Sequence, residues 1–206
     1  AAATALSAVD RGLANWQGVS PDYDFGHEVW GRFGTELKSR DAAAKIGKGV
    51  FVPLTETKVT PYITSLISNL PANSAKTTGL FMSTFAATNI ALAQQGKPYD
   101  FFSKYGAVLN LGGSTPTAEA LGANTPAMTY IYDYFDGAYD NAANTAFVDG
   151  YHAAHNGKRP NAWVYEGYAA VIALKAGITK AGSADPAKVR EALPGLTFET
   201  PKGEFS

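Results

Sequence analysis

Cysteine is absent from the 206 residues of this chain, which removes disulfides, thiolate zinc sites and cysteine nucleophiles at once. The same absence fits an exported bacterial protein and many cytosolic ones. Charge of one sign is lacking too: 17 basic residues stand against 18 acidic ones, a formal charge of -1, and neither sign forms long runs. Binding to phosphate backbones needs a clustered basic face, so nucleic acid is not an expected partner. No apolar run approaches the ~20 residues that span a bilayer. The opening AAATALSAVDRGL has no basic stretch leading into an apolar one, so no signal peptide is read there; one was cleaved or never present.

Catalytic groups are scarce as well. The three histidines, His27, His152 and His155, lie outside any nucleophile and base pattern, and no G-x-S-x-G elbow occurs. Glu166 and Asp185 form no evident carboxylate pair. Asp133, Asp136 and Asp140 lack the alternate-residue spacing and closing glutamate of a calcium loop. His152 and His155 have no third ligand nearby, so a solvated helix face is the expected reading. Gly112, Gly113 and Ser114 make a glycine-rich turn, but no lysine follows at phosphate-loop spacing. No enzyme, metal or cofactor is expected.

What is present is an ordinary globular composition, 46% hydrophobic and 17% charged, with a length between one and two domains. Leu6, Val9, Leu13 and Trp16 stand at helical spacing, which predicts a helix over 3–16. A turn at 20–26 leads into a helical pattern over 28–39 carrying Val29, Trp30, Phe33 and Leu37. KGVFVPL at 48–54 reads as a buried strand, and Thr57 or Thr60 is expected to cap a helix that Pro71 stops. GLFMSTF at 79–85 is again strand-like, with a helix through Gln95 closed by Gly96. The same grammar continues with strands at 107–113 and 127–132 around a short helix at 117–121. Helices follow at 141–156, 162–181 and 186–193, the last opened by Asp185-Pro186, and two short strands surround the turn at 201–203.

Strands alternating with helices predict a parallel sheet covered on both faces, with ligands at the carboxyl ends of the strands. Those ends are residues 20–25, 83–86 and 112–115. Tyr23 and Phe25 are expected to open toward the crevice, where an aromatic ring packs on a solute and excludes water. Ser83, Thr84 and Phe85 are expected to face the same crevice, with a helix cap by Ser83 or Thr84 as the competing use. Gly112 and Ser114 complete the candidate ligand-binding set.

Three segments, in order, resemble the leucine/isoleucine/valine-binding family of ABC-transporter receptors, type I periplasmic solute-binding proteins. They are SPDYDFG at 20–26, FVPLTETKVTPYITSLISNLPA at 51–72, and RPNAWVYEGYAAVIALKAGITKAGSADPAKVREALPGLTFETPKGEFS at 159–206. The third carries most weight: Pro160, Tyr165, Tyr168-Ala169-Ala170, Ala181-Gly182-Ser183, Asp185-Pro186 and the stretch 197–203 fall in register with the family pattern. The resemblance implies an α/β fold of two lobes with parallel sheets flanked by helices, the N-terminal half of the first lobe being missing. It implies residues 1–17 as a helix of the first lobe or an inter-lobe crossing, 18–132 as the second lobe, 133–195 as a return into the first, and 196–206 as a crossing back. It further implies a small-molecule solute (an amino acid, amide or small carboxylate) bound between lobes, an ABC transporter permease as partner, contact with the membrane only through that permease, and a periplasmic or membrane-anchored extracytoplasmic location. Phe25 matches the family's ligand-contacting aromatic, and Phe85 stands where the family carries an aromatic lid.

Two departures accompany the resemblance. The family places a full strand where only Gln17 separates Asn15-Trp16 from Gly18-Val19, which predicts residues missing there and near 75–78. The acidic residue that holds a ligand ammonium in amino-acid receptors has no counterpart beside the glycine-rich turn before Glu119. The alternative to a transport receptor is a ligand-sensing regulatory domain of the same fold.

Overall fold

A computed structural model describes residues 2–71 and 75–205, which form two compact units, Ala1–Ile131 and Tyr132–Ser206. In the first unit, helix α1 (Ala2–Asp10) precedes strand β1 (Asn15–Pro21), α2 (Asp24–Arg40), β2 (Lys45–Val52), α3 (Thr60–Ser68), β3 (Thr78–Met82), α4 (Ala86–Gly96), β4 (Ala107–Asn110), α5 (Thr115–Leu121) and β5 (Thr129–Tyr130). All strand pairs of this sheet are parallel, in the order β2-β1-β3-β4-β5.

The alternation of side chains along each strand builds a core on both faces of the sheet. Val19, Leu80, Met82 and Val108 meet Ile63 and Leu66 of α3 and Leu92 of α4. Trp16, Phe81 and Leu109 point the other way, toward Ala5 and Ala8 of α1 and Trp30, Phe33 and Leu37 of α2. Central β3 is buried at every position, as a strand covered twice must be. Phe33 is the hub of the second core, stacked on Phe81 at 4.5 Å and Trp30 at 5.6 Å and edge-on to Trp16 at 5.4 Å.

One sequence expectation is corrected here. The helix expected over 3–16 ends at Asp10, because Gly12 takes a left-handed φ of +62° and breaks it. Trp16 therefore lies in a strand; its helical spacing from Leu13 arises because both residues serve the same core. Around Gln17, where the resemblance predicts missing residues, the pairing of β1 with β2 shifts register between Trp16 and Gly18. Asn15–Pro21 nevertheless forms one strand, paired regularly with β3 on its other side, and residues 1–17 fall in the first unit together with 18–131. Near 75–78, a 3-10 turn at Ala75–Thr77 runs directly into β3; residues 72–74 of that stretch lie outside the described residues.

The cap expected from Thr57 or Thr60 on α3 comes from another helix. The Gln95 Oε1 accepts from the Val59 N–H at 2.9 Å, the Thr60 N–H at 3.2 Å and the Thr60 hydroxyl at 3.1 Å. Its amide then donates to the Thr57 carbonyl at 2.6 Å. One buried-side amide thus supplies the acceptor that a local serine or threonine normally gives.

The second unit holds α6 (Ala142–Ala154), α7 (Ala162–Ala181), α8 (Pro186–Ala192) and an antiparallel hairpin of β6 (Phe198–Thr200) and β7 (Gly203–Phe205). Asn141, Asn161 and Asp185 cap the three helices through side-chain oxygens. Tyr134 anchors the unit: its ring stacks on Tyr165 at 4.6 Å, and its hydroxyl donates to Asn144 Oδ1 at 2.6 Å. Burial first, then the charge of Asp136, pushes the Tyr134 phenol from 10.0 up to about 12. Burial also raises the Tyr105 phenol of the first unit, which donates to Gln17 Oε1 at 2.8 Å. The unfolded chain releases each proton near its ordinary value while the folded chain holds it. Stability is therefore full below pH 10 and falls as pH climbs toward 12. Urea unfolding followed at a series of alkaline pH values checks this, and Tyr134→Phe should flatten the decline.

Candidate functional site

The order of the strands locates the site. From β1 the chain steps outward to β2, then crosses back past β1 to β3, so the connections leaving β1 and β3 run in opposite senses. Such a reversal opens a crevice outside the carboxyl ends of the two strands. The loop 22–23 into α2 and the loop Ser83–Phe85 into α4 flank it, with Leu111–Ser114 beside them on the β4 side.

The structure brings the three predicted aromatics together at this edge. The Tyr23 and Phe25 rings stack with centroids 5.9 Å apart, and Phe25 meets Phe85 edge-on at 6.3 Å. Tyr23 and Phe25 remain 41% and 40% exposed despite these ring contacts. Tyr23 is the extended residue before α2 and Phe25 lies in its first turn. That turn is tight: a Cβ on Gly26 would stand 1.9 Å from the Pro21 carbonyl oxygen, so only glycine lets the helix begin so close to the end of β1. Asp22 accepts from or pairs with His27 Nε2 at 2.8 Å, and the His27 ring lies flat on Phe51 at 3.8 Å. Asp22 and Asp24, both exposed, are carboxylates beside the aromatic pair. Sequence reading looked for an acid only near the glycine-rich turn and passed them over.

Ser83 and Thr84 behave differently from expectation. Both are buried, and their hydroxyls turn inward: Ser83 Oγ donates to Ser20 Oγ at 2.8 Å, and Thr84 Oγ1 donates to Asn89 Oδ1 at 2.5 Å. A buried hydroxyl must find a partner, and these partners lie within the unit. Neither caps α4, whose cap position is Phe85 with no side-chain bond. Ser114 does cap α5, accepting from the Thr117 N–H at 3.3 Å. Gly112 serves close approach, since a Cβ there would meet the Thr84 carbonyl oxygen at 2.0 Å.

Asn89 and Asn110 escaped sequence reasoning. Asn89 is buried on α4 and donates from Nδ2 to the Gly112 carbonyl at 3.1 Å. A lone asparagine among the alanines, Ile90 and Leu92 of α4 was the signal available. Asn110 ends β4 with its Oδ1 buried and lacking a hydrogen bond.

The remaining candidates lie elsewhere. Asp136 is buried and pairs with Arg159 Nε at 2.5 Å, while Asp133 holds Lys202 Nζ at 3.0 Å, so two of the three clustered aspartates are taken by cations. His155 stacks on Tyr151 at 4.1 Å. Among the described residues no group of three or more His, Cys, Asp or Glu side chains is arranged to hold a metal. A depression of about 460 Å³ in the first unit, lined by Phe101, Phe102 and Tyr105, lies at the amino end of β4, the opposite edge of the sheet from the aromatic cluster.

This architecture is shared with known proteins. Over 114 residues the chain is 34% identical to a leucine-, isoleucine-, valine-, threonine- and alanine-binding protein of Pseudomonas aeruginosa, covering 55% of this chain and 30% of that protein. The solute-binding protein of an R. palustris ABC transporter, solved with benzoate, superimposes with a TM-score of 0.83 at 18% identity, over 100% of this chain and 54% of that one. A leucine-binding protein from Thermotoga maritima gives 0.78 at 19% identity, over 98% of this chain and 58% of that one. The chain thus spans about half the length of the solved proteins it matches. The family model described as periplasmic binding protein matches residues 1–206. This chain belongs to the periplasmic binding protein family, and its parallel α/β unit has the type I fold of that family.

Proposed function

We propose that the chain is part of an extracytoplasmic receptor of an ABC importer, which captures a small polar solute between two lobes by hinge closure and presents it to a membrane permease without chemistry. The observation that carries this reading is the Tyr23–Phe25–Phe85 cluster at the strand-order reversal, with Tyr23 and Phe25 exposed and Phe85 half-buried. Exposed ring faces offer apolar contact to a solute, and the amide groups that open α2 and α4 favour a carboxylate or other acceptor beside them. An amino acid, an amide or a small carboxylate fits that pairing, and closure follows if the solute makes more contacts in the closed form than in the open one.

For the lobes we propose residues 1–132 as belonging to the second, 133–195 as the return into the first, and 196–206 as a crossing back. Helix α7 supports the middle assignment. Trp163, Val171 and Leu174 lie at helical spacing and are 64%, 65% and 54% exposed, the kind of apolar stripe a helix lays on a sheet.

The test is a thermal-shift screen of the full-length protein against L-leucine, L-alanine, short amides, urea and benzoate. A solute at ~100 times its dissociation constant adds about 2.7 kcal/mol, visible as several degrees. A flat response to every one of them would overturn the receptor reading.

A further inference from the structure

Ala86 opens α4 with a φ of +49°, a left-handed conformation for a residue carrying a Cβ. Non-glycine residues persist there only when their surroundings over-determine them, and such strain gathers at ligand clamps. Phe85, immediately before it, is extended, so the chain reverses sharply between the two residues and the Phe85 ring is delivered beside Phe25 at 6.3 Å.

One side chain ties the residue before Phe85 to the neighbouring loop. Asn89, one turn into α4 and 4% exposed, accepts from the Thr84 hydroxyl at 2.5 Å and donates to the Gly112 carbonyl at 3.1 Å. Its two polar ends are thereby spent on the two loops beside the crevice, one from β3 and one from β4. The loops also press on each other, with Gly112 leaving no room for a Cβ against the Thr84 carbonyl. A buried amide satisfied at both ends fixes geometry more tightly than apolar contact, because any movement leaves a buried polar group unpaired.

We propose that Asn89 is a positioning residue for solute binding: it braces the strained turn at Ala86 so that Phe85 is held ready against Phe25. It touches no solute itself and acts through Phe85. This rests on the receptor reading above for its functional consequence, though the positioning can be examined without any solute.

The experiment has two arms on the full-length protein. In the first, ligand-free crystal structures of Asn89→Ala and Asn89→Asp are compared with the parent. The aspartate keeps the acceptor for Thr84 and removes the donor to Gly112, and it serves if the alanine variant fails to fold. Displacement of the Phe85 ring from its 6.3 Å contact with Phe25 is expected; a ring left in place in whichever variant folds overturns the proposal. In the second arm, dissociation constants for benzoate and L-leucine are measured for the parent, the folded Asn89 variant, Phe85→Ala and the double variant. Each single change should weaken binding of whichever probe binds by about tenfold, and the double variant should bind no worse than Phe85→Ala alone. Losses that multiply would mean Asn89 does not act through Phe85 and would overturn the proposal. If the parent binds neither probe, the receptor reading loses support while the crystallographic arm still decides the role of Asn89.

Discussion

Gly112→Ala should cost about 3 kcal/mol of stability in the first unit, at the upper end of the usual range for overpacking, and should remove solute binding with it. The added Cβ would lie 2.0 Å from the Thr84 carbonyl oxygen and 2.9 Å from that of Ser83. Both obstacles are backbone, so no rotamer change relieves the clash. Either the turn after β4 withdraws or the turn after β3 does. Each movement breaks the bond from Asn89 to the Gly112 carbonyl and disturbs the seat of Phe85. Urea unfolding of the first unit, paired with calorimetric titration of the solute found in the thermal screen, measures both effects. Unchanged stability and affinity would show that the two turns do not pack as described.

Phe33→Ala should be costlier still, about 4 kcal/mol. The ring is fully buried and touches Trp16, Trp30 and Phe81, so truncation leaves a cavity walled by rigid aromatics from α2, β1 and β3 that cannot collapse into it. Phe33→Leu keeps most of the volume and should cost under about 1.5 kcal/mol. The pair of variants separates cavity formation from loss of ring stacking, and equilibrium unfolding monitored by near-ultraviolet circular dichroism reports on these same rings. A loss below 1 kcal/mol for the alanine variant would mean that Phe33 is not the hub of this core.

Much of the fold was legible because its signals are local. Helix α7 occupies 162–181 as predicted, since Asn161 supplies the cap and Gly182, with a φ of +60°, supplies the stop. Asp185-Pro186 opened α8 for the same reason. The misreading of 3–16 shows where such signals end. Leu6, Val9, Leu13 and Trp16 have helical spacing, yet the last belongs to a strand, because a residue can reach one core from either a helix or a strand. The candidate site divides along the same line. Tyr23, Phe25 and Phe85 were singled out by their places after strand ends in an α/β pattern. Their contact with one another depended on the order β2-β1-β3, which no local pattern states.

By itself the sequence determined the alternation of strands and helices, the helix opening at Asp185-Pro186, the absence of thiol chemistry and the family pattern, because each depends on residues a few positions apart. Only the tertiary structure decided that Ser83 and Thr84 turn inward, that Gln95 caps a helix 35 residues away, and that Asn89 ties two loops together. The reason is physical: a buried polar group takes whichever partner the packed chain brings within hydrogen-bond reach, and that partner is set by how strands neighbour one another in space.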